Sequence, residues 1–171
     1  MFFEAINQFK RSLGQLDTWL DKATAFAESK SFDVNVLLNQ RLAPDQFPFL
    51  RQVQSVCDTA KFGAARLAGL TPPSHPDTEQ TLAELRTRIR TILTYLDTFS
   101  AKDFEEGASR VISLPRWEGR SMTGADYFVE HVQPNFFFHY AHAYAILRHN
   151  GVDLGKRDYL GTLSMRPAPK P

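Results

Sequence analysis

Five histidines, one cysteine and a short run of polar residues beside an apolar seam are the parts of this 171-residue sequence that could do chemistry. The histidines are His75, His131, His139, His142 and His149. A metal site needs ligands that converge to about 2.0–2.1 Å from one point, and the spacing here works against that. His139 and His142 are neighbours on a helix, but the apolar pattern separates them. His139 falls on a flank with Phe136, Ala143 and Ile146, whereas His142 falls opposite the main seam. His142 and His149 share a face, yet seven residues at about 1.5 Å each set them about 10 Å apart. Neither Glu-x-x-His nor His-x-x-x-His occurs. His139 therefore reads as a hydrogen-bonded core residue and as the one histidine placed to serve a metal. His142 and His149 read as surface or partner-facing residues, and His75 lies in a Pro-rich loop.

Cys57 sits on an apolar stripe with no base beside it, which makes it a core thiol with a raised pKa and little reactivity. Gln54, Asp58 and Lys61 follow one another at i, i+4 and i+7 along the same segment, Gln54 and Lys61 flanking the seam. Turned inward, they would line a pocket with His139. The plainer reading makes Asp58 and Lys61 a surface ion pair of small energetic value. Phe136, Phe137 and Phe138, followed by Tyr140 and Tyr144, are more aromatic surface than one seam requires. The excess must meet the 100–122 segment, a ligand pocket or a second subunit, in that order of preference after the pocket is set aside.

Helices must position these groups. Three segments space apolar residues by threes and fours: Ile6, Phe9, Leu13, Leu16, Leu20, Ala23 and Ala27; Leu50, Val53, Cys57, Ala60, Ala64 and Leu67; and Leu82, Leu85, Ile89, Ile92, Leu96 and Phe99. Each stripe has to be buried against other helices, and no long segment alternates with period two, so the fold class is an all-α bundle. A fourth helix starts at Thr123-Gly124-Ala125-Asp126, is interrupted at Pro134, resumes through Phe137, Tyr140, Tyr144 and Leu147, and closes at Asn150-Gly151. Apolar on a flank as well, it is expected to be the most buried of the four. Leu70 to Asp77 is stiff and Pro-rich, either an extended run of about 3.1 Å per residue or a broad turn, with Asp77 or Thr78 as the next N-cap. Arg110–Leu114 and Trp117–Gly119 suggest a short hairpin, and from Arg157 onward the chain reads as a tail with an extended or disordered end.

Composition sets the frame. Hydrophobic residues are 43% and charged residues 23%, as in an ordinary globular chain, and 20 Lys+Arg against 19 Asp+Glu leave a formal charge of +1. That balance lacks the basic footprint of a nucleic-acid binder. One cysteine excludes an intramolecular disulfide and points to a reducing compartment. With no signal-peptide pattern and no apolar run of about 18 residues, the expectation is a cytoplasmic protein without a membrane span.

Two stretches carry a resemblance. One is Leu42-Ala43-Pro44-Asp45-Gln46-Phe47-Pro48 with Arg51-Gln52-Val53-Gln54 and Asp58-Thr59-Ala60-Lys61. The other is Pro134-Asn135-Phe136-Phe137-Phe138-His139, then Ala143 to Val152 and Leu154 to Gly161. They resemble a bacterial and fungal family, domain of unknown function nineteen-ninety-three, a branch of the DinB-like superfamily, over essentially the whole chain to Gly161. The resemblance implies a four-helix bundle in up-down-down-up order, with the Pro-rich link as its long crossover. It also sets a domain at residues 1–161 and leaves 162–171 as an extended or disordered tail. Superfamily relatives often bind a divalent metal through one histidine on the second helix and two histidines four apart on the last; some are thiol-dependent transferases or hydrolases, and many are homodimers. This chain has no histidine between Phe47 and Leu67, and Ala143 stands four residues after His139. His139 alone holds a family-type ligand position, and the three-histidine pattern is absent. The sequence-based expectation is a small-molecule-binding or enzymatic bundle with a pocket between the second and fourth helices, drawn from Gln54, Asp58, Lys61, His139 and Tyr144. The alternative is a non-catalytic homodimerising domain.

Overall fold

The computed structural model describes residues 1–168. Four long helices make the bundle: α1 (Phe2–Lys30), α2 (Phe49–Leu67), α3 (Leu82–Leu96) and, after the single turn α4 (Gly124–Asp126), α5 (Gln133–His149). The apolar stripes read from the sequence are the buried faces of α1, α2 and α3, with only Leu50 partly open. Side-chain pairs give the helix directions. Lys10 meets Asp97, and Arg86 meets Asp21, so α1 and α3 are antiparallel. Gln52 meets His139, Thr59 meets Asn135 and Arg66 meets Tyr127, so α2 and α5 are antiparallel. Phe2 packs on Phe128, Phe9 on Phe136 and Trp19 on Tyr144, so α1 and α5 are parallel. The order is up-down-down-up.

Two parallel helices in succession require the chain to return a helix length between them. Residues 68–81 do so along α2: His75 lies beside Lys61, Glu79 beside Gln54, and Asp77 beside Arg51. The N-cap of α3 is Thr81, not Asp77 or Thr78. Its hydroxyl accepts from the Glu84 N–H at 3.2 Å while the Glu84 carboxylate accepts from the Thr81 N–H at 3.0 Å. Asp77 is committed to ion pairs with Arg51 and Arg88 instead.

The last long helix is not broken at Pro134. A π-helical stretch, Tyr127–Val132, leads into α5, and the Gln133 N–H bonds the Phe128 carbonyl five residues back. The wider turn absorbs the missing proline N–H and keeps Tyr127, Phe128 and Val132 on the buried side. Nor is this helix the most buried: α2 buries 13 of its 19 residues and α5 6 of its 17. Small residues on α2 explain it. A Cβ on Gly63 would lie 2.6 Å from a Val132 methyl, so glycine there lets the two helices close up. A short antiparallel hairpin, β1 (Val111–Ser113) with β2 (Ser121–Thr123), precedes α4.

Of the aromatic excess of α5, Phe136, Phe137, Tyr140 and Tyr144 are covered by α1 and the C-terminal segment rather than by residues 100–122, while Phe138 stays exposed. Tyr140 packs at a tilt against Trp19 with centroids 4.7 Å apart and against Tyr159 at 4.8 Å. Tyr159 belongs to α6 (Lys156–Leu160), which is docked by Trp19 Nε1 donating to the Asp158 carbonyl at 3.1 Å and Tyr140 Oη donating to the Tyr159 carbonyl at 3.1 Å. Residues Arg157 to Leu160 are thus docked on the bundle rather than part of a tail. Residues 162–168 form no helix or strand, and 169–171 of the expected tail lie outside the described residues. Among the described residues no helix is long and apolar enough to cross a membrane.

Candidate functional site

His139 is buried on α5, 9% exposed, and faces α2. Its Nδ1 lies 2.8 Å from Gln52 Oε1, and Gln52 Nε2 donates to the Phe47 carbonyl at 3.0 Å. The backbone carbonyl accepts only, so it fixes the amide with Oε1 toward the ring, and the ring must then carry its proton on Nδ1. The Nε2 lone pair is left with no protein partner among the described residues. Burial, aided by His142 and Arg51, lowers the pKa to about 4, so the ring is neutral at physiological pH.

His139 closes one end of a groove of about 290 Å³ between α2 and α5. Arg51, Ser55, Asp58, Phe62 and Arg66 line it from successive turns of α2, and Tyr127, His131 and Asn135 line it opposite, with Arg116 reaching in from the hairpin loop. Of the five pocket candidates Gln54, Asp58, Lys61, His139 and Tyr144, only Asp58 and His139 share this groove, joined there by His131. Tyr144 turns away, packing on Trp19 and Tyr159 with its hydroxyl toward the Leu154 carbonyl. Gln54 and Lys61 face the crossover and α3.

The Asp58–Lys61 pair is not a surface pair. Lys61 is 1% exposed, 2.8 Å from Asp58, with its ammonium 4.4 Å from the Phe62 ring centroid. Arg88 of α3, 4% exposed, joins them, 2.9 Å from Asp58, 3.0 Å from Asp77 and 3.0 Å from Glu79. Gln54 Nε2 donates to Glu79 at 2.8 Å. Burial pushes the Glu79 carboxyl up, but the bonds from Gln54 and Arg88 outweigh it and hold the group below its usual range. This cluster binds the crossover to α2 and α3. Cys57 beneath it is fully buried, and burial pushes its thiol up to about 12, so it is not a nucleophile.

The residues do not fit a three-histidine metal site. Gln52 occupies the α2 position facing His139, Ala143 is buried one turn on, and His142 Nδ1 is committed to the Phe138 carbonyl at 2.6 Å. Among the described residues no three His, Cys, Asp or Glu side chains converge on one point. Sequence reasoning missed Gln52, Arg66, Arg88, Arg116 and Tyr127, and counted His131 among the histidines without giving it a role. The available signal was positional: Gln52 and Arg88 each stand one residue before a stripe residue, Val53 and Ile89, where a polar side chain is half-turned toward the core.

Residues 1–160 match the family described as domain of unknown function DUF1993. No curated protein matches. Among solved structures, a DinB family member from Shewanella denitrificans is 53% identical, with a TM-score of 0.92 over 95% of this chain and 93% of that one. With that family matched over nearly its full length, and a DinB member sharing its fold and half its residues, the chain belongs to the DUF1993 family of the DinB-like superfamily.

Proposed function

We propose that the protein binds a small molecule in the α2–α5 groove, against His139. One observation carries this reading: a histidine locked in a single tautomer by Gln52, its Nε2 lone pair unpaired, at the end of a polar groove. A ring with a pKa of about 4 is a weak general base at neutral pH. It suits accepting a hydrogen bond from a ligand N–H or O–H better than taking a proton, which favours binding over acid–base catalysis. The test is a thermal-shift screen of metabolite-like compounds against the wild type, Ser55→Trp and His139→Ala. A ligand raises the melting temperature with concentration by mass action. The expected result is at least one compound whose shift is abolished in Ser55→Trp, which fills the groove, and reduced in His139→Ala. Hits that stabilise Ser55→Trp equally, or a screen without hits, defeat the reading.

A second reading, a homodimerising domain, is supported by the aromatic ridge beside the groove, where Phe47 is 50% and Phe138 53% exposed. The two readings are compatible, since the ridge and the groove use different side chains.

A further inference from the structure

We propose that the far end of the groove, where Arg66, Arg116, Tyr127 and His131 meet, is an oxyanion subsite that takes a phosphate or carboxylate group of a small molecule. It rests on the reading of the groove as a ligand site and adds the chemistry of what binds there.

Two arginines here are held in an unusual way. Arg51, Arg86, Arg88, Arg90, Arg110 and Arg148 each have a carboxylate within ion-pair distance. Arg11, Arg41, Arg120, Arg157 and Arg166 have none among the described residues but do not line the groove; of the three arginines that do, Arg51 is paired, while Arg66 and Arg116 have no carboxylate partner among the described residues. Arg66 Nη1 donates to the Tyr127 hydroxyl at 2.9 Å, and its guanidinium lies 4.7 Å from the Phe62 ring centroid. Arg116 Nη2 is 2.6 Å from His131 Nε2. A guanidinium only donates, so Nε2 is the acceptor and His131 is neutral with its proton on Nδ1. Both cations are thus positioned by neutral groups that leave their charge uncompensated. The only carboxylate lining the groove, Asp58, is already taken by Lys61 and Arg88.

The placement is built into the fold. Tyr127 and His131 stack, 5.4 Å between centroids, across the π-helical stretch, which links the Arg66 side of the groove to the Arg116 side. Trp117 packs edge-on against Tyr127 at 6.0 Å and His131 at 6.2 Å, anchoring the hairpin turn that carries Arg116. The positive potential registers on His131, whose pKa is lowered by burial and then by Arg116 and Arg66. Two planar donor forks from separate elements line the same groove, and a guanidinium fork is the side chain best suited to an oxyanion.

The experiment is a two-dimensional NMR titration of the full chain with inorganic phosphate and, separately, with succinate, at constant ionic strength set by chloride. The expected result is saturable shifts centred on Phe62, Arg66, Arg116, Tyr127 and His131. Affinity falls about tenfold or more in Arg66→Ala and in Arg116→Ala, recovers in part in Arg116→Lys, and is unchanged in Arg148→Ala. Tighter binding of phosphate assigns a phosphorylated ligand, and tighter binding of succinate a carboxylate. Shifts that do not saturate, centre on other basic residues or persist in both alanine variants overturn the subsite. A thermal-shift hit lost in Ser55→Trp but indifferent to Arg66→Ala and Arg116→Ala also overturns it and leaves the groove reading standing. Saturable anion binding unaffected by Ser55→Trp, with no thermal-shift hit, leaves the subsite and sinks the groove.

Discussion

The proton on His139 is placed by a relay of fixed acceptors: the Phe47 carbonyl orients Gln52, and Gln52 orients the imidazole. Protonating Nε2 would put a charge in a buried site, which is why the folded pKa falls to about 4 from about 6.5 in an unfolded chain. Between those values the unfolded state binds more protons than the folded state, so stability rises with pH. The contribution of the neutral ring is complete above about pH 6.5 and is lost as pH falls toward 4. Urea unfolding in steps across that window is expected to show the wild type losing on the order of 2 kcal/mol more than His139→Leu, solvent screening at the groove allowed for. His75 and His131, also lowered, are present in both proteins and cancel. Equal slopes would show that His139 titrates normally. The buried role of His139 was legible in the sequence, since it shares a flank with Phe136 and Ala143. Its partner was not. Gln52 and Gln54 are about 200° apart around a helix, and only the packing of α5 on α2 decides which of them faces the ring.

The Pro-rich crossover is an element without secondary structure, and what orders it is charge. Arg88 gathers Asp58 from α2 and Asp77 and Glu79 from the crossover around one guanidinium, and Arg51 and Gln54 complete the tie. Burial disfavours the Arg88 charge, but the bond from Glu79 and the charges of Asp58 and Glu79 prevail and keep it ionised. A buried pair adds little over an apolar replacement of the whole group, whereas removing one partner strands the others. Arg88→Ala is therefore expected to cost about 3–5 kcal/mol in urea unfolding and to open residues 70–81 to amide exchange ahead of α2 and α3. Asp77→Ala, more exposed and with two other carboxylates left on Arg88, should cost well under half as much. Similar costs for both, or unchanged protection of the crossover, would contradict this account. The stiffness of Pro72, Pro73 and Pro76 could be read from the sequence. Its path along α2 could not, because it depends on pairs 26 and 25 positions apart, Arg51 with Asp77 and Gln54 with Glu79, and Arg88 reads in isolation as an ordinary polar residue between Leu85 and Ile89.

At the level of the whole molecule, the bundle closes every long apolar stripe yet leaves one aromatic ridge open. Phe47, from the loop before α2, stacks toward His139 at 6.4 Å. On α5, Phe138 meets His139 edge-on at 5.2 Å and packs at a tilt against His142 at 4.1 Å. Two exposed phenylalanines on either side of His139 favour a protein partner, and aromatic anchors of this kind suit a two-fold interface. A stable dimer needs about 800 Å² from each subunit, more than two phenylalanines supply, so neighbouring residues of α5 and the loop before α2 must contribute. Light scattering of the full chain at micromolar concentration is expected to give twice the 19.4 kDa chain mass. Phe138→Glu, which puts a charge at the centre of the patch and touches no core residue but the edge of His139, is expected to return the mass to that of one chain with helical content unchanged. Mass equal to one chain for the wild type at every concentration would remove the dimer. A dimer that survives both Phe138→Glu and Phe47→Glu would move its interface to another face.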